Sequence, residues 1–274
     1  MRKAFVNSLP KSGTHLTAKC LRMMGYTEHG HIGSALVLNP GLLSKVRRLL
    51  AAPLRQGYLV GVDTPVEMAA RSVHRLLRKT KDTTFLTAHV GYSTALLDAI
   101  LSHGIAPIVV SRDPRSVLTS FSHYVAKREE HVLYSECRHM PLEERFHAAL
   151  HGKRFRKAYL EPLRIRCLAL DGWMDHKDVL HIRFEDLVGA QGGGSDELQK
   201  QVLTRICTFL EADESHIPTI QETLFGPGRH TFRKGHVASW REELSADFLE
   251  QVNEKIGDII ERWGYKDLPS EVEV

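Results

Sequence analysis

No apolar run in this chain of 274 residues approaches the roughly 20 residues that span a bilayer, which excludes an integral membrane segment of the helical kind. Cysteine is scarce: Cys20, Cys137, Cys167 and Cys207 are far apart and form no C-x-x-C pair. That excludes a dense disulfide frame and a paired-cysteine zinc site, and reads as reduced, mostly buried thiols. An excess of one charge is also missing. Lys and Arg number 37 against 33 Asp and Glu, a net charge of +4. So mild a balance favours anionic ligands but gives no case for nucleic acid. Internal repeats are absent, and no disordered tail extends beyond the last few residues. Little sequence precedes the first motif at Ser8, so no signal peptide or anchor is expected there, and the expected location is cytoplasmic.

What is present is the composition of a soluble globular protein, 42% hydrophobic and 26% charged, long enough to bury a large core. Strand-like runs at Ala4–Ser8, Tyr58–Val62, Thr84–Ala88, Pro107–Ser111 and Val179–Phe184 alternate with helical patterns. The helices are expected at Leu16–Met24, Val66–Arg78, Thr94–Ser102, Pro114–Val125 and Phe248–Trp263. This alternation predicts an α/β fold: one P-loop-like domain over 1–274, with a central, mostly parallel sheet flanked by helices. The stretch Glu129–Leu170 is helical in composition with no strand, and reads as a helical insertion, about 124–170, over the mouth of the sheet. Gln191–Ser195 reads as a flexible loop.

Ligands of open parallel sheets bind beyond the carboxyl ends of the strands. The residues just past the expected strand ends are Lys11, Asp63, His89, Arg112 and Glu185. All are polar and three can be cationic, which makes a coherent anion site. Ser8 to Leu16 read Ser-Leu-Pro-Lys-Ser-Gly-Thr-His-Leu directly after the apolar run Ala4-Phe5-Val6. Strand, glycine loop and helix in that order aim backbone N–H groups at one anion, and Lys11 adds a full positive charge. A Walker A loop would need glycines where this chain has Phe5 and Pro10.

Three further segments extend the site. In Arg112-Asp113-Pro114-Arg115-Ser116, continuing to Ser120, Asp113 caps a helix, Pro114 occupies its first turn, and Arg112 and Ser120 can meet one phosphate. The plain alternative is a surface arginine beside an ordinary cap. Thr231-Phe232-Arg233-Lys234-Gly235, followed by Trp240, opens after Gly226-Pro227-Gly228. Two cations and a glycine can wrap a phosphate there, or simply form a solvated pair beside an anchoring tryptophan. Thr87-Ala88-His89 places a histidine at a strand end, where it can take a proton from a hydroxyl. The chain has 16 histidines, so position, not residue type, singles this one out.

Taken in order, these motifs resemble the sulfotransferases that use 3′-phosphoadenosine 5′-phosphosulfate (PAPS), and the resemblance covers nearly the whole chain. It implies a sulfotransferase moving a sulfuryl group from PAPS to a hydroxyl, less readily an amine, of an acceptor, and leaving adenosine 3′,5′-bisphosphate (PAP). By resemblance, His89 is the general base and Lys11 acts at the departing 5′-phosphate. Ser12, Gly13, Thr14 and His15 belong to the 5′-phosphosulfate loop. Arg112, Ser120, Phe232, Arg233, Lys234 and Gly235 hold the 3′-phosphate, and Phe184 lies near adenine. The family needs no metal. Three positions depart from it: Leu16 replaces a tryptophan, Ala88 a lysine or threonine, and Phe184 a tyrosine, which weakens the adenine contacts rather than the phosphate ones. A P-loop-type nucleotide kinase, suggested by the run Tyr58 to Asp63, and a catalytically inactive nucleotide-binding module are the rival readings. The acceptor is expected to be a small molecule or a glycan or lipid, lying between the sheet mouth, 29–63 and the insertion; an oligomer is compatible with all of this. The insertion's cations, Lys127, Arg128, Arg138, Arg145, Lys153, Arg154, Arg156 and Lys157, read as a solvated face or as a surface for an acidic acceptor.

Overall fold

The computed structural model describes residues 1–34, 57–225 and 236–266. Five parallel strands form the central sheet in the order β2-β5-β1-β6-β9. They are β1 (Lys3–Ser8), β2 (Thr27–Ile32), β5 (Thr84–Ala88), β6 (Ile105–Ser111) and β9 (Leu180–Arg183), with β3 (Gly57–Val60) and β4 (Val66–Ala69) forming a separate antiparallel pair. The middle strands are buried on both faces, which is why Ile105–Ser111 reads as an unbroken apolar run rather than an alternating one. The period of two still sorts their side chains. Phe5, Leu86 and Val109 join one core, and Val6, Phe85, Ile108 and Val110 the other.

Helices α1 (Thr14–Met23), α2 (Ala70–Lys79), α3 (Thr94–Ser102) and α4 (Pro114–Tyr124) follow successive strands. The short α5 (Tyr134–Cys137), α6 (Leu142–His151) and α7 (Leu163–Met174) come next, with strands β7 (Lys153–Arg154) and β8 (Tyr159–Leu160) paired between the last two. Then come α8 (Phe184–Leu187), α9 (Asp196–Leu210), α10 (Ile217–Thr223) and α11 (Ala246–Arg262). Helix α1 packs its Ala18 and Leu21 into one core, while α4 sends Val117 and Leu118 into the other. The chain therefore leaves the adjacent strands β1 and β6 toward opposite faces, and that divergence opens a crevice at their carboxyl ends. Sequence-local caps set the helix starts: Ser93, Asp113, Ser195 and Ser245 each accept a backbone N–H from the first turn.

Several expectations need correction. The strand read at Tyr58–Val62 ends at Val60 and lies outside the central sheet, paired antiparallel with β4. Val66–Ala69, read as the start of a helix, is that partner strand, and the helix begins at Ala70. Cross-strand pairing of Val60 with Val66 overrides the helical pattern that continues into α2. The insertion is not strand-free, since β7 and β8 form a hairpin inside it. Gln191 lies in a 3-10 turn, Ala190–Gly192, rather than in an open loop, and the Gly192 carbonyl accepts the Val237 N–H at 2.9 Å.

Candidate functional site

Helix α1 begins on Gly13, whose φ of 102° is left-handed. Two residues earlier Lys11 has φ 74°, a conformation a lysine adopts only at some cost and one that clusters at ligand sites. The turn is closed by the Ser12 N–H on the Leu9 carbonyl at 3.1 Å, and the Ser8 and Thr14 hydroxyls meet at 2.5 Å across it. Ser12 Oγ is buried with no hydrogen-bond partner among the described residues. A cradle with an orphaned hydroxyl, open N–H groups at a helix start and a lysine beside it is built for an anion.

Arg112, at the end of β6, donates from Nη1 to the Lys11 carbonyl at 2.9 Å. Its guanidinium also lies 4.3 Å from the centre of the Phe184 ring. Phe184 in turn leaves no room at Gly13, where a Cβ would come within 2.7 Å of Phe184 Cδ2. Loop, arginine and aromatic are thus one packed unit spanning the ends of β1, β6 and β9. Arg112 is 7% exposed, which strengthens its field toward a bound anion. Farther along α4, Ser120 is half-buried and Ser116 Oγ is buried with no partner among the described residues.

Behind this unit lies a polar network that the sequence reading only partly found. The Asp113 carboxylate accepts the Arg115 backbone N–H and the Arg115 Nε–H, both at 2.9 Å, and the Trp240 indole N–H at 3.0 Å. The Arg115 guanidinium stacks 4.1 Å from the Trp240 ring and donates to the Tyr265 carbonyl. Glu185 accepts the Asp113 N–H at 3.0 Å and the Tyr265 hydroxyl at 2.9 Å. Burial pushes the Glu185 carboxyl above the usual carboxylate range, with the Asp113 N–H and Arg112 pulling it back. Trp240 therefore anchors the segment that follows 231–235 onto the start of α4. Phe232, Arg233, Lys234 and Gly235 lie outside the described residues, as do Gly226, Pro227 and Gly228.

His89 follows β5. Its Nδ1–H donates to the Ser8 carbonyl at 2.8 Å, which fixes the tautomer and leaves the Nε2 lone pair as an acceptor. The backbone around it is pinned on both sides. Its N–H donates to the Ile32 carbonyl at 3.1 Å, and its carbonyl accepts the Gly61 N–H at 2.8 Å. The Asn7 amide bridges both backbone groups of Val90. Burial lowers the His89 pKa, with the Ser8 hydrogen bond and Asp63 opposing and His15 and Lys11 adding to the fall. The ring is consequently neutral at neutral pH. His31 meets it edge to face with centroids 5.1 Å apart.

Lys11 Nζ sits 4.7 Å from the Tyr124 ring centre, and the Tyr124 ring meets His131 edge-on at 5.5 Å. His131 Nε2 is 3.7 Å from Asp63 Oδ2. Asp63 is buried and lies off the central sheet, so the strand-ending carboxylate that suggested a kinase has different surroundings. Tyr124, His131, His31 and Tyr265 are neighbours that no local motif marks, whereas Glu185 stands at a strand end as expected. His15 is exposed on the first turn of α1, and His236 is exposed and meets Phe225 edge-on at 5.8 Å. All four cysteines are buried and free. Among the described residues no helix is long and apolar enough to cross a membrane, and no group of three or more His, Cys, Asp or Glu could hold a metal ion.

No protein-family model and no curated protein sequence matches the chain. Solved structures do. The mouse sulfotransferase SULT7A1, complexed with PAP, is 17% identical with a TM-score of 0.59, over 96% of this chain and 89% of that one. Retinol dehydratase, in complex with androsterone and PAP, is 17% identical with a TM-score of 0.58, over 98% and 83%. The same enzyme with retinol and PAP gives 16% and 0.57, over 99% and 84%. The chain has the sulfotransferase fold, an α/β domain with a five-stranded parallel sheet flanked by helices.

Proposed function

We propose that the protein is a PAPS-dependent sulfotransferase with His89 as general base. One observation carries the reading: the His89 Nδ1–H on the carbonyl of Ser8, at the root of the anion loop. A base and a phosphate cradle are joined there through a single residue, with Nε2 left to take a proton from an acceptor hydroxyl. The orphaned Ser12 and Ser116 hydroxyls and the close-packed Gly13 fit a phosphorylated donor. When bound, PAPS supplies the sulfuryl group, and PAP is what remains.

The chain's own residues then have separable duties. Ser12, Gly13, Thr14 and His15 offer the loop and the first turn of α1 to the 5′ end. Lys11 lies where charge develops on the 5′-phosphate. Arg112 and Ser120, with Phe232, Arg233, Lys234 and Gly235, hold the 3′-phosphate, and Phe184 supports the donor through Arg112 and Gly13. By analogy with phosphoryl transfer, the barrier is lowered mainly by positioning and fixed charge. The acceptor is a small molecule, glycan or lipid bearing a hydroxyl, and the setting is cytoplasmic.

The deciding experiment supplies isotopically labelled PAPS and a panel of hydroxylated acceptors, and reads the gain of one sulfate by mass spectrometry. Transfer by the wild type and its loss in His89→Ala is the expected result. Transfer that persists in His89→Ala removes the base assignment. Failure of PAP to bind the wild type, read by calorimetry, removes the whole reading.

A further inference from the structure

The contacts around His89 close into a ring. Ser8 accepts from His89; Lys11, three residues on, lies over Tyr124; Tyr124 meets His131; His131 reaches Asp63; and Gly61, two residues before Asp63, binds the His89 carbonyl. Asp63 is the acid in this ring, and it is 5% exposed. Its placement is enforced from both sides, since its carbonyl accepts the Glu161 N–H at 2.9 Å and the next residue, Thr64, shares its hydroxyl with Ser34 at 2.9 Å.

We propose that Asp63 is a positioning residue for His89: carried on the segment that the Gly61 N–H ties to the His89 carbonyl, its carboxylate holds the imidazolium formed when the acceptor's proton arrives. The proposal rests on His89 being the base. The proton leaves the acceptor O–H for Nε2, and the ring goes from neutral to singly positive. Lys11 and His15, from the loop and α1, oppose that change, and so does His31 on β2. Asp63 offsets them. Burial disfavours the charged form of such a carboxyl, yet the His131 hydrogen bond, with charge from His131, His89 and Arg166, holds Asp63 ionised down to about pH 2. Arg166 is itself a buried cation, 1% exposed, donating to the Ala149 carbonyl at 2.5 Å. A carboxylate kept charged in a buried place beside a neutral base acts on the charged form of that base and little on the neutral one, so its effect grows as the proton moves.

The test reads the His89 imidazole directly, in the full chain saturated with PAP. Histidine labelled at Cε1 is titrated by NMR, with the His89 resonance assigned through His89→Gln. Asp63→Asn should lower the His89 midpoint by about one pH unit or more, a tenfold loss of proton affinity, while PAP affinity stays within about twofold. Asp63→Glu should restore most of the shift. A folded, PAP-binding Asp63→Asn protein whose midpoint is unmoved overturns the proposal. Should Asp63→Asn fail to fold, Asp63→Ser in the same titration replaces it: the midpoint should fall in the same way, and an unmoved midpoint is again fatal. Turnover of His89→Ala separates the two readings. If it stays active while the midpoint shifts as expected, the base assignment fails and the Asp63 coupling stands.

Discussion

Gly13→Ala is the sharpest probe of the packed loop, because two independent penalties meet at one atom. The first is conformational: at φ 102° an L-residue gives up about 1–2 kcal/mol. The second is steric, since the new Cβ would lie 2.7 Å from Phe184 Cδ2. The ring has nowhere to go. It is 6% exposed and carries the Arg112 guanidinium on its face at 4.3 Å. Overpacking of this kind costs about 1–3 kcal/mol, so Gly13→Ala should destabilise the fold by about 2–5 kcal/mol in urea denaturation. Phe184→Ala alone should cost about 3–5 kcal/mol through the cavity it leaves. The double mutant removes the clash and keeps the φ penalty, so it should be more stable than the sum of the two by about 1–3 kcal/mol. PAP binding, measured by calorimetry, should fall in both single mutants, since each displaces Arg112 or the loop. Additivity within about 0.5 kcal/mol would refute the packing of loop, aromatic and arginine as one unit.

Arg112→Ala should weaken PAP by about 2–4 kcal/mol through loss of a charge-assisted contact, while adenosine 5′-monophosphate should bind the wild type much more weakly and lose little; equal losses by calorimetry would sink the 3′-phosphate role. Lys11→Ala should cut turnover about 10²-fold or more but PAPS affinity about tenfold or less, because the charge it answers grows only in the transition state; near-normal turnover would remove it from the chemistry. Trp240→Phe should lower stability by about 1.5–3 kcal/mol, the worth of a hydrogen bond to a buried carboxylate, and an unchanged urea midpoint would deny that Asp113 depends on it. Burial holds His31 and His181 down to about 4, so both are neutral when folded and charge when unfolded below their ordinary value near 6.5. Their stabilisation is complete above that value and is lost as pH falls from 6.5 toward 4, about 2 kcal/mol each by pH 5; a His31→Gln protein with the wild-type pH slope of stability would contradict this.

What could be read from the sequence was whatever the chain must specify locally. The anion loop is one: its strand, its positive-φ glycine and the helix after it are consecutive, so Ser8–Leu16 carries its own geometry. The cap at Asp113 and the strand end at His89 are two more. Legibility failed where pairing or distance decides. β2 is polar, Thr-Glu-His-Gly-His-Ile, because it is an edge strand with one neighbour, and no alternation of apolar residues announced it. β3 was legible as a strand, but not its partner: β4 is a strand only because Val66 finds Val60 across a turn. The site divides in the same way. Lys11, His89 and Arg112 stand at strand ends and are visible one motif at a time. The groups that tune them come from far along the chain: Tyr265 on Glu185, Trp240 on Asp113, and His131 on Asp63. Trp240 stood out in the sequence as an anchor but its partner did not, and His131 and Tyr265 lie outside any helix or strand, where no periodicity marks them. A motif therefore names the residues placed to touch a ligand, while the field in which they work is set by partners that only the folded topology brings close.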